Sequence, residues 1–129
     1  WPQDEDRKWS TVEWLMFQMG GVGPMFGQCH HFTKYNPGKA PYAEERYHNE
    51  TKRLYGVMDK RLGKQPYLAC DEYTIADIAV WPWVARFDWQ NVDLNDFPNV
   101  RRWYLEVLDR PATAKGWNVP ENDQAIPKP

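Results

Sequence analysis

Residues Tyr73-Thr74-Ile75-Ala76-Asp77-Ile78-Ala79-Val80-Trp81-Pro82 decide the fold of this chain. Thr74 is placed as a helix N-cap, and Asp77 stands three residues later, at the spacing of a capping box. The threonine oxygen can accept from the backbone N–H at Asp77, and the carboxylate can reach back to the cap. Tyr73 and Ile78 occupy the two positions of a hydrophobic staple. The residues that follow are apolar nearly all the way round, which is typical of a helix in the middle of an all-helical domain.

Helical periodicity extends in both directions from this stretch. The pattern predicts a first helix from about Glu5 to Met19, a second from Pro41 to Leu62, a third from Thr74 to about Phe87, a fourth beginning near Pro98, and one or two turns over Ala112 to Trp117. Gly20-Gly21 is expected to end the first helix, and residues 22–40 are expected to be irregular. The first helix is expected to bury the residues at three- and four-residue steps, namely Trp9, Val12, Leu15, Met16 and Met19.

The fold class is therefore an all-α bundle, since no strand pattern is present in the sequence. The 129 residues fit one domain, which we place at residues 1–119. Residues 120–129 are rich in proline and polar residues, and we expect them to form a flexible tail.

Composition argues against several classes of function. The net charge of −2 lacks the basic excess of a nucleic-acid-binding domain. No apolar run approaches the roughly 18 residues that span a bilayer, and the first residues do not resemble a signal peptide. Neither a nucleic acid nor a membrane is an expected partner. Two cysteines, Cys29 and Cys70, do not form a disulfide framework, and reduced thiols indicate a cytoplasmic protein.

The densest cluster of reactive side chains is Cys29-His30-His31. Thiolate and imidazole groups bind zinc, and Cys29 could also be a nucleophile paired with a neighbouring histidine. However, the spacing fits no zinc pattern, adjacent histidines seldom face one ion, and no third group is evident to orient a base. Local packing is the favoured interpretation, and no metal is expected.

Arg46 lies in the first turns of the second predicted helix, where a cation gains nothing from the helix dipole. Two interpretations stay open. Arg46 could pair with Glu50 one turn later, or its guanidinium could be held toward a ligand carboxylate, a bidentate role that lysine fills poorly. Spacing alone favours the pair with Glu50.

The chain resembles the C-terminal helical domain of a cytosolic glutathione transferase over roughly Trp9 to Thr113. The segment Thr74-Ile75-Ala76-Asp77 is similar to the folding motif at the start of that domain's core helix. Four stretches resemble more narrowly the bacterial Nu-class enzymes and their Ure2-like relatives: Trp14-Leu15-Met16-Phe17-Gln18, Gly20-Gly21-Val22-Gly23-Pro24-Met25-Phe26-Gly27-Gln28, Glu44-Glu45-Arg46-Tyr47 and Glu72 through Trp83.

The resemblance implies where a glutathione site would lie. Such enzymes carry an N-terminal thioredoxin-like domain, which we expect to be absent from these 129 residues because they contain no βαβ pattern. The residues that activate the thiol belong to that domain, so no catalytic residue is expected here. Arg46 matches an arginine that contacts the glutathione carboxylates, and Glu13 is expected to reach the glutathione amino group across a homodimer interface. The expected wall of the co-substrate site comprises Gln18, Met25, Phe26 and Gln28.

The resemblance implies a glutathione transferase as the parent enzyme, with glutathione as co-substrate and a small electrophile or disulfide as its partner. The reaction would be glutathione conjugation, glutathione-dependent disulfide reduction, or both. This chain alone is expected to be inactive. The alternative is a non-catalytic protein-interaction module with the same fold, and a third possibility is a bundle that binds a hydrophobic ligand in a pre-formed pocket. Thr74 and Asp77 are expected to act in folding and not in binding.

Overall fold

A computed structural model describes all residues from Trp1 to Pro129, and it contains helices and no strands. The α-helices are α1 (Glu5–Phe17), α2 (Gly23–His30), α3 (Pro41–Leu62), α4 (Ile75–Val84), α5 (Pro98–Leu108) and α6 (Pro111–Trp117). Two π-helical turns, Gln18–Val22 and His31–Tyr35, follow α1 and α2, and two 3-10 turns, Phe87–Gln90 and Leu94–Asp96, lie between α4 and α5. The predicted all-α fold is confirmed. None of these helices combines the length and hydropathy needed to cross a bilayer.

The helical run does not end at Gly20-Gly21, so the predicted stop and the irregular segment after it were wrong. The chain stays helical from Glu5 to Tyr35, through the first π-helical turn, α2 and the second π-helical turn. Glycine disfavours a helix by only about 1 kcal/mol relative to alanine, which packing can offset. In the wider π-helical turn the Gly23 N–H donates to the Gln18 carbonyl, five residues back. Gly23 is also closely packed: a Cβ there would lie 2.8 Å from Gln18 Nε2.

The predicted buried face of α1 was also wrong in part. Trp9, Met16 and Met19 are 63%, 53% and 60% exposed. The inward face carries Thr11 and Gln18, both buried, together with half-buried aromatic side chains that pack against the core. Thr11 Oγ1 donates to the Arg7 carbonyl at 2.7 Å, so a polar residue is buried without an unpaired group. Because two of the inward-facing residues are polar, the spacing of the apolar residues did not correctly predict which face of the helix is buried.

Helices α3 and α5 form the centre of the bundle and match the prediction. Helix α3 spans Pro41–Leu62, as expected, and α5 begins at Pro98. The core cluster contains 17 buried residues, and the largest of its fully buried side chains are Trp103, Tyr55, Tyr104, Phe26, Leu54 and Met58. The C-terminal half of α3 is therefore anchored in the core, whereas the first turns of the helix are not.

The capping box at the start of α4 forms in both directions, as predicted. Asp77 is fully buried and accepts four hydrogen bonds, from the Thr74 N–H at 2.9 Å, Thr74 Oγ1 at 3.2 Å, the Leu68 N–H at 3.0 Å and Trp103 Nε1 at 2.9 Å. Burial raises the pKa of this carboxyl, while these hydrogen bonds act to lower it. The cap therefore also ties α4 to α5 and to the α3–α4 connection.

Helix α4 differs from the prediction in length and exposure. It ends at Val84 and not near Phe87, because the chain then turns into the 3-10 segment that begins at Phe87. Ile78 is 53% exposed, so the helix is not buried all round.

Residues 120–129 contain no helix and lie against the bundle. The Gln124 carbonyl accepts from Trp117 Nε1 at 2.6 Å, and the Pro127 carbonyl accepts from the Tyr104 hydroxyl at 2.6 Å. Arg86 donates to Gln124 Oε1 at 3.0 Å. The flexibility of this tail and the domain boundary at residue 119 stay predictions.

Candidate functional site

The exposed first half of α3 forms one side of an open groove of about 750 Å³. The groove is lined mainly by polar and charged side chains of α3, with one methionine from α2: Met25, Tyr42, Glu45, Arg46, Tyr47, Asn49, Glu50 and Arg53. Pro41 starts the helix with a fixed φ, and the buried second half of α3 holds its direction. The groove therefore displays its cations from a rigid element.

Arg46 is exposed in this groove, and its guanidinium makes no hydrogen bond or ion pair within the chain. The pair with Glu50 that spacing favoured does not form. Glu50 instead accepts from Arg53, at 2.7 Å from Nε and 2.8 Å from a terminal nitrogen. The Arg53 hydrogen bonds lower the pKa of Glu50, and the more distant charge of Arg46 contributes least. An unpaired guanidinium in an open groove can accept an anionic ligand in bidentate geometry.

The other predicted site residues are not gathered at one place. Met25 lies in the groove with Arg46, and Gln28 is exposed on the same helix, α2. Gln18 is only 7% exposed, and Glu13 is exposed on α1.

Phe26 does not reach the surface. It is fully buried, and its ring stacks on Tyr55 with 5.0 Å between the ring centres. Phe26 therefore lies behind any wall that Met25 forms, and it cannot itself touch a ligand in this structure.

The Cys29-His30-His31 cluster does not form a single site. Cys29 is buried, with its sulfur 3.8 Å from Thr33 Oγ1, whereas His31 is exposed. His30 is buried, and its Nε2 lies 2.9 Å from the amide nitrogen of Gln90. Burial, with a smaller contribution from the Arg86 charge, lowers the pKa of His30 to about 4, so the ring is neutral and accepts this hydrogen bond. No group of three or more His, Cys, Asp or Glu residues is close enough together to hold a metal ion.

A second groove, of about 720 Å³, lies between α4, the end of α5 and α6. Its lining includes one tyrosine and four tryptophans. The guanidinium of Arg86 is stacked between the rings of Trp89 and Trp117, 4.5 Å from each centre. Arg110 lies 3.9 Å from the centre of the Tyr73 ring. The three-residue spacing could have suggested the contact between Arg86 and Trp89. The contact between Arg86 and Trp117 could not have been suggested in this way, because the two residues are distant in sequence.

Comparison with known proteins gives a consistent result. Residues 41–106 match the family described as the C-terminal domain of glutathione S-transferases. The disulfide-bond oxidoreductase YfcG of Escherichia coli is 49% identical over 106 residues, which are 82% of this chain and 49% of that protein. The chain spans about half the length of the curated relatives it matches.

Solved structures share this fold, among them two glutathione transferases. A glutathione transferase from Pseudomonas putida, with one glutathione disulfide bound per subunit, superposes with a TM-score of 0.84 at 40% identity, over 92% of this chain and 54% of that chain. A glutathione transferase from Burkholderia graminis, with two glutathione molecules per subunit, superposes with a TM-score of 0.83 at 39% identity, over 94% of this chain and 53% of that chain.

Proposed function

This chain belongs to the glutathione S-transferase family as its C-terminal helical domain, and on that premise we propose that it supplies part of the glutathione site of a glutathione-dependent enzyme. The parent enzyme would conjugate glutathione to electrophiles, reduce disulfides with glutathione, or do both. Disulfide chemistry is favoured by the name of the Escherichia coli relative and by the glutathione disulfide bound to the Pseudomonas putida protein. We also propose membership of the Nu-class, Ure2-like subgroup, which rests on sequence stretches such as Gly23-Pro24-Met25-Phe26-Gly27-Gln28.

The observation that carries the proposal is the unpaired guanidinium of Arg46 in the open groove of α3. Glutathione carries two carboxylates, and a planar guanidinium can bind one of them through two parallel hydrogen bonds. Arg46 would hold the tripeptide in place, while activation of its thiol would depend on residues of a thioredoxin-like domain. Met25 and Gln28, and Gln18 where it reaches the surface, would form part of the co-substrate wall.

We further propose that the exposed face of α1 meets a second subunit. Trp9 and Met16 are more than half exposed, and Glu13 lies between them at helical spacing. Large exposed apolar side chains on one face are typical of an interaction surface. In a homodimer, Glu13 would face the glutathione amino group of the other subunit. Both cysteines are free, which supports a cytoplasmic setting.

The proposal for Arg46 can be tested by NMR on this chain. Adding glutathione is expected to move the side-chain Nε–Hε signal of Arg46. The signal is assigned by its loss in Arg46→Gln, and Lys52→Gln is the matched control because Lys52 is an exposed cation of the same helix outside the groove. Movement of other arginine signals with no movement of Arg46 would refute the assignment.

A chimera tests the enzyme itself. The half of the Escherichia coli relative that this chain does not cover is joined ahead of this chain, and glutathione-dependent reduction of a small disulfide is measured. The chimera is expected to be active, Arg46→Gln is expected to raise KM for glutathione, and this chain alone is expected to show no turnover with a disulfide or a chloronitrobenzene. Turnover by this chain alone would contradict the division of roles.

The alternative of a non-catalytic interaction module predicts a different outcome. Such a module would leave the chimera inactive, and glutathione would not affect capture of a partner protein. The unpaired guanidinium of Arg46 in the open groove on α3 favours the enzyme, because a protein-interaction role does not require one there.

A further inference from the structure

Glu50 stands between two arginines that could each pair with it. Arg46 lies four residues before it and Arg53 three residues after it, so both are within reach on the same face of α3. In the structure, Glu50 pairs with Arg53. Both carboxylate oxygens are engaged, at 2.7 Å and 2.8 Å, in the forked geometry that arginine forms with carboxylates.

Helix polarity explains the choice. Pairs in which the acidic residue precedes the basic one along the helix are more favourable than the reverse order. Glu50 precedes Arg53 and follows Arg46, so the observed pair has the favourable order. With Glu50 held in this fork, the guanidinium of Arg46 makes no hydrogen bond or ion pair on its own helix.

We propose that Arg53 is a positioning residue of the glutathione site, because it holds the Glu50 carboxylate and so keeps Arg46 available to a ligand carboxylate. This inference rests on the proposed function of Arg46. All three side chains line the same groove, so the internal carboxylate and the ligand carboxylate would compete for one guanidinium. Arg53 removes the internal competitor without itself touching the ligand.

The expected effect is small and measurable. The pair is exposed to solvent, and an exposed pair of this kind changes an equilibrium by a factor of about two to five. Arg53→Gln frees Glu50 to compete for Arg46. The variant is therefore expected to weaken the response of Arg46 to glutathione by about two- to five-fold.

The experiment compares five variants of this chain by the initial slope of the Arg46 Nε–Hε shift against glutathione concentration. Arg53→Gln is expected to lower the slope, and Glu50→Gln to keep or raise it. The double variant is expected to recover at least the wild-type slope, because the competitor is gone. Lys52→Gln controls for loss of one positive charge on α3, and Arg53→Lys is expected to restore part of the slope. Circular dichroism and melting curves check that every variant keeps the fold.

A second readout needs no ligand. The side-chain carboxyl carbon of Glu50 reports its pKa by NMR, and Arg53→Gln should raise that pKa by removing the main cause of its depression. A purely structural role of Arg53 would not predict rescue by Glu50→Gln.

The outcomes separate the inference from the proposed function. If Arg46 responds to glutathione but Arg53→Gln acts no more strongly than Lys52→Gln, or weakens the response equally when Glu50 is already glutamine, Arg53 is not a positioning residue. If glutathione does not move Arg46 in the wild-type chain, the proposed role of Arg46 fails, and the inference fails with it.

Discussion

Replacing Asp77 with asparagine should destabilise the domain far more than loss of an ordinary helix cap. The buried carboxylate accepts four hydrogen bonds, two on each oxygen. An asparagine keeps one acceptor oxygen and places an NH2 group at the other position, so two buried donors lose their acceptor. Each such loss costs about 1–3 kcal/mol, which gives about 2–6 kcal/mol in total. Burial of the charge offsets part of this cost, which favours the lower half of the range.

The assay is urea unfolding followed by circular dichroism, with a thermal melt beside it. For 129 residues the unfolding entropy is about 0.27 kcal/mol/K, so the melting temperature should fall by roughly 7 to 22 °C. Thr74→Ala, which removes the cap hydroxyl, is the control and should cost about 1 kcal/mol.

The reasoning would be refuted if Asp77→Asn cost no more than Thr74→Ala. It would also be refuted if the folded variant lost the response of Arg46 to glutathione, because Asp77 is assigned to folding and not to binding. The response is measured below the melting temperature of the variant, where the fraction unfolded is negligible.

Three further predictions follow from the packing. Burial lowers the pKa of His30 from 6.5 to about 4, so protonation of the ring opposes folding as the pH falls. The free energy of unfolding should therefore be constant above pH 6.5 and decrease by up to about 3 kcal/mol as the pH falls toward 4. Denaturant titrations at several pH values should show this decrease, and His30→Gln should reduce it. Gly23→Ala should be less stabilising than Gly56→Ala, because its Cβ would lie 2.8 Å from Gln18 Nε2 and 3.3 Å from the Gln18 carbonyl, so Gln18 must shift. Gly56→Ala, with nothing within 4 Å, should stabilise by about 0.4–1 kcal/mol; equal effects in urea unfolding would contradict this. Arg86→Ala removes two stacking contacts and a hydrogen bond to the tail, so hydrogen exchange in residues 120–129 should accelerate while the melting temperature of the bundle changes little.

Local signals were enough to predict some elements. Helix α3 was bounded correctly because Pro41 starts it and Gly63 follows its last residue, both of which act within one turn. The capping box at Thr74 and Asp77 is equally local, because its two members are only three positions apart in sequence.

Tertiary contacts were not predictable in the same way. Gly23 stays helical because it packs closely against Gln18 and Trp83, and the Trp83 contact spans 60 residues of sequence. Asp77 also accepts from Trp103, which is 26 residues away. A propensity scale evaluates each residue against solvent, so it cannot detect packing that compensates for a glycine or a buried charge.

The candidate site was likewise predictable from the sequence only in part. The sequence left two interpretations of Arg46 open, a pair with Glu50 or a contact with a ligand. It could not show which carboxylate each arginine would bind. The decision came from Arg53, whose guanidinium binds both carboxylate oxygens of Glu50.

Helix α3 separates stability from binding along its own length. Its second half buries Leu54, Met58 and Leu62 in the core, and its first half exposes Arg46, which does not pack in the core. Substitutions of the exposed residues in the first half should therefore change ligand contacts at little cost in folding free energy, whereas substitutions at Thr51 and at the buried positions of the second half should lower stability. Because one continuous backbone joins the two halves, the core fixes the direction of the groove surface without supplying its exposed side chains. This arrangement allows the ligand preference of the groove to change through exposed residues such as Arg46 and Asn49 while the capped bundle beneath it stays the same.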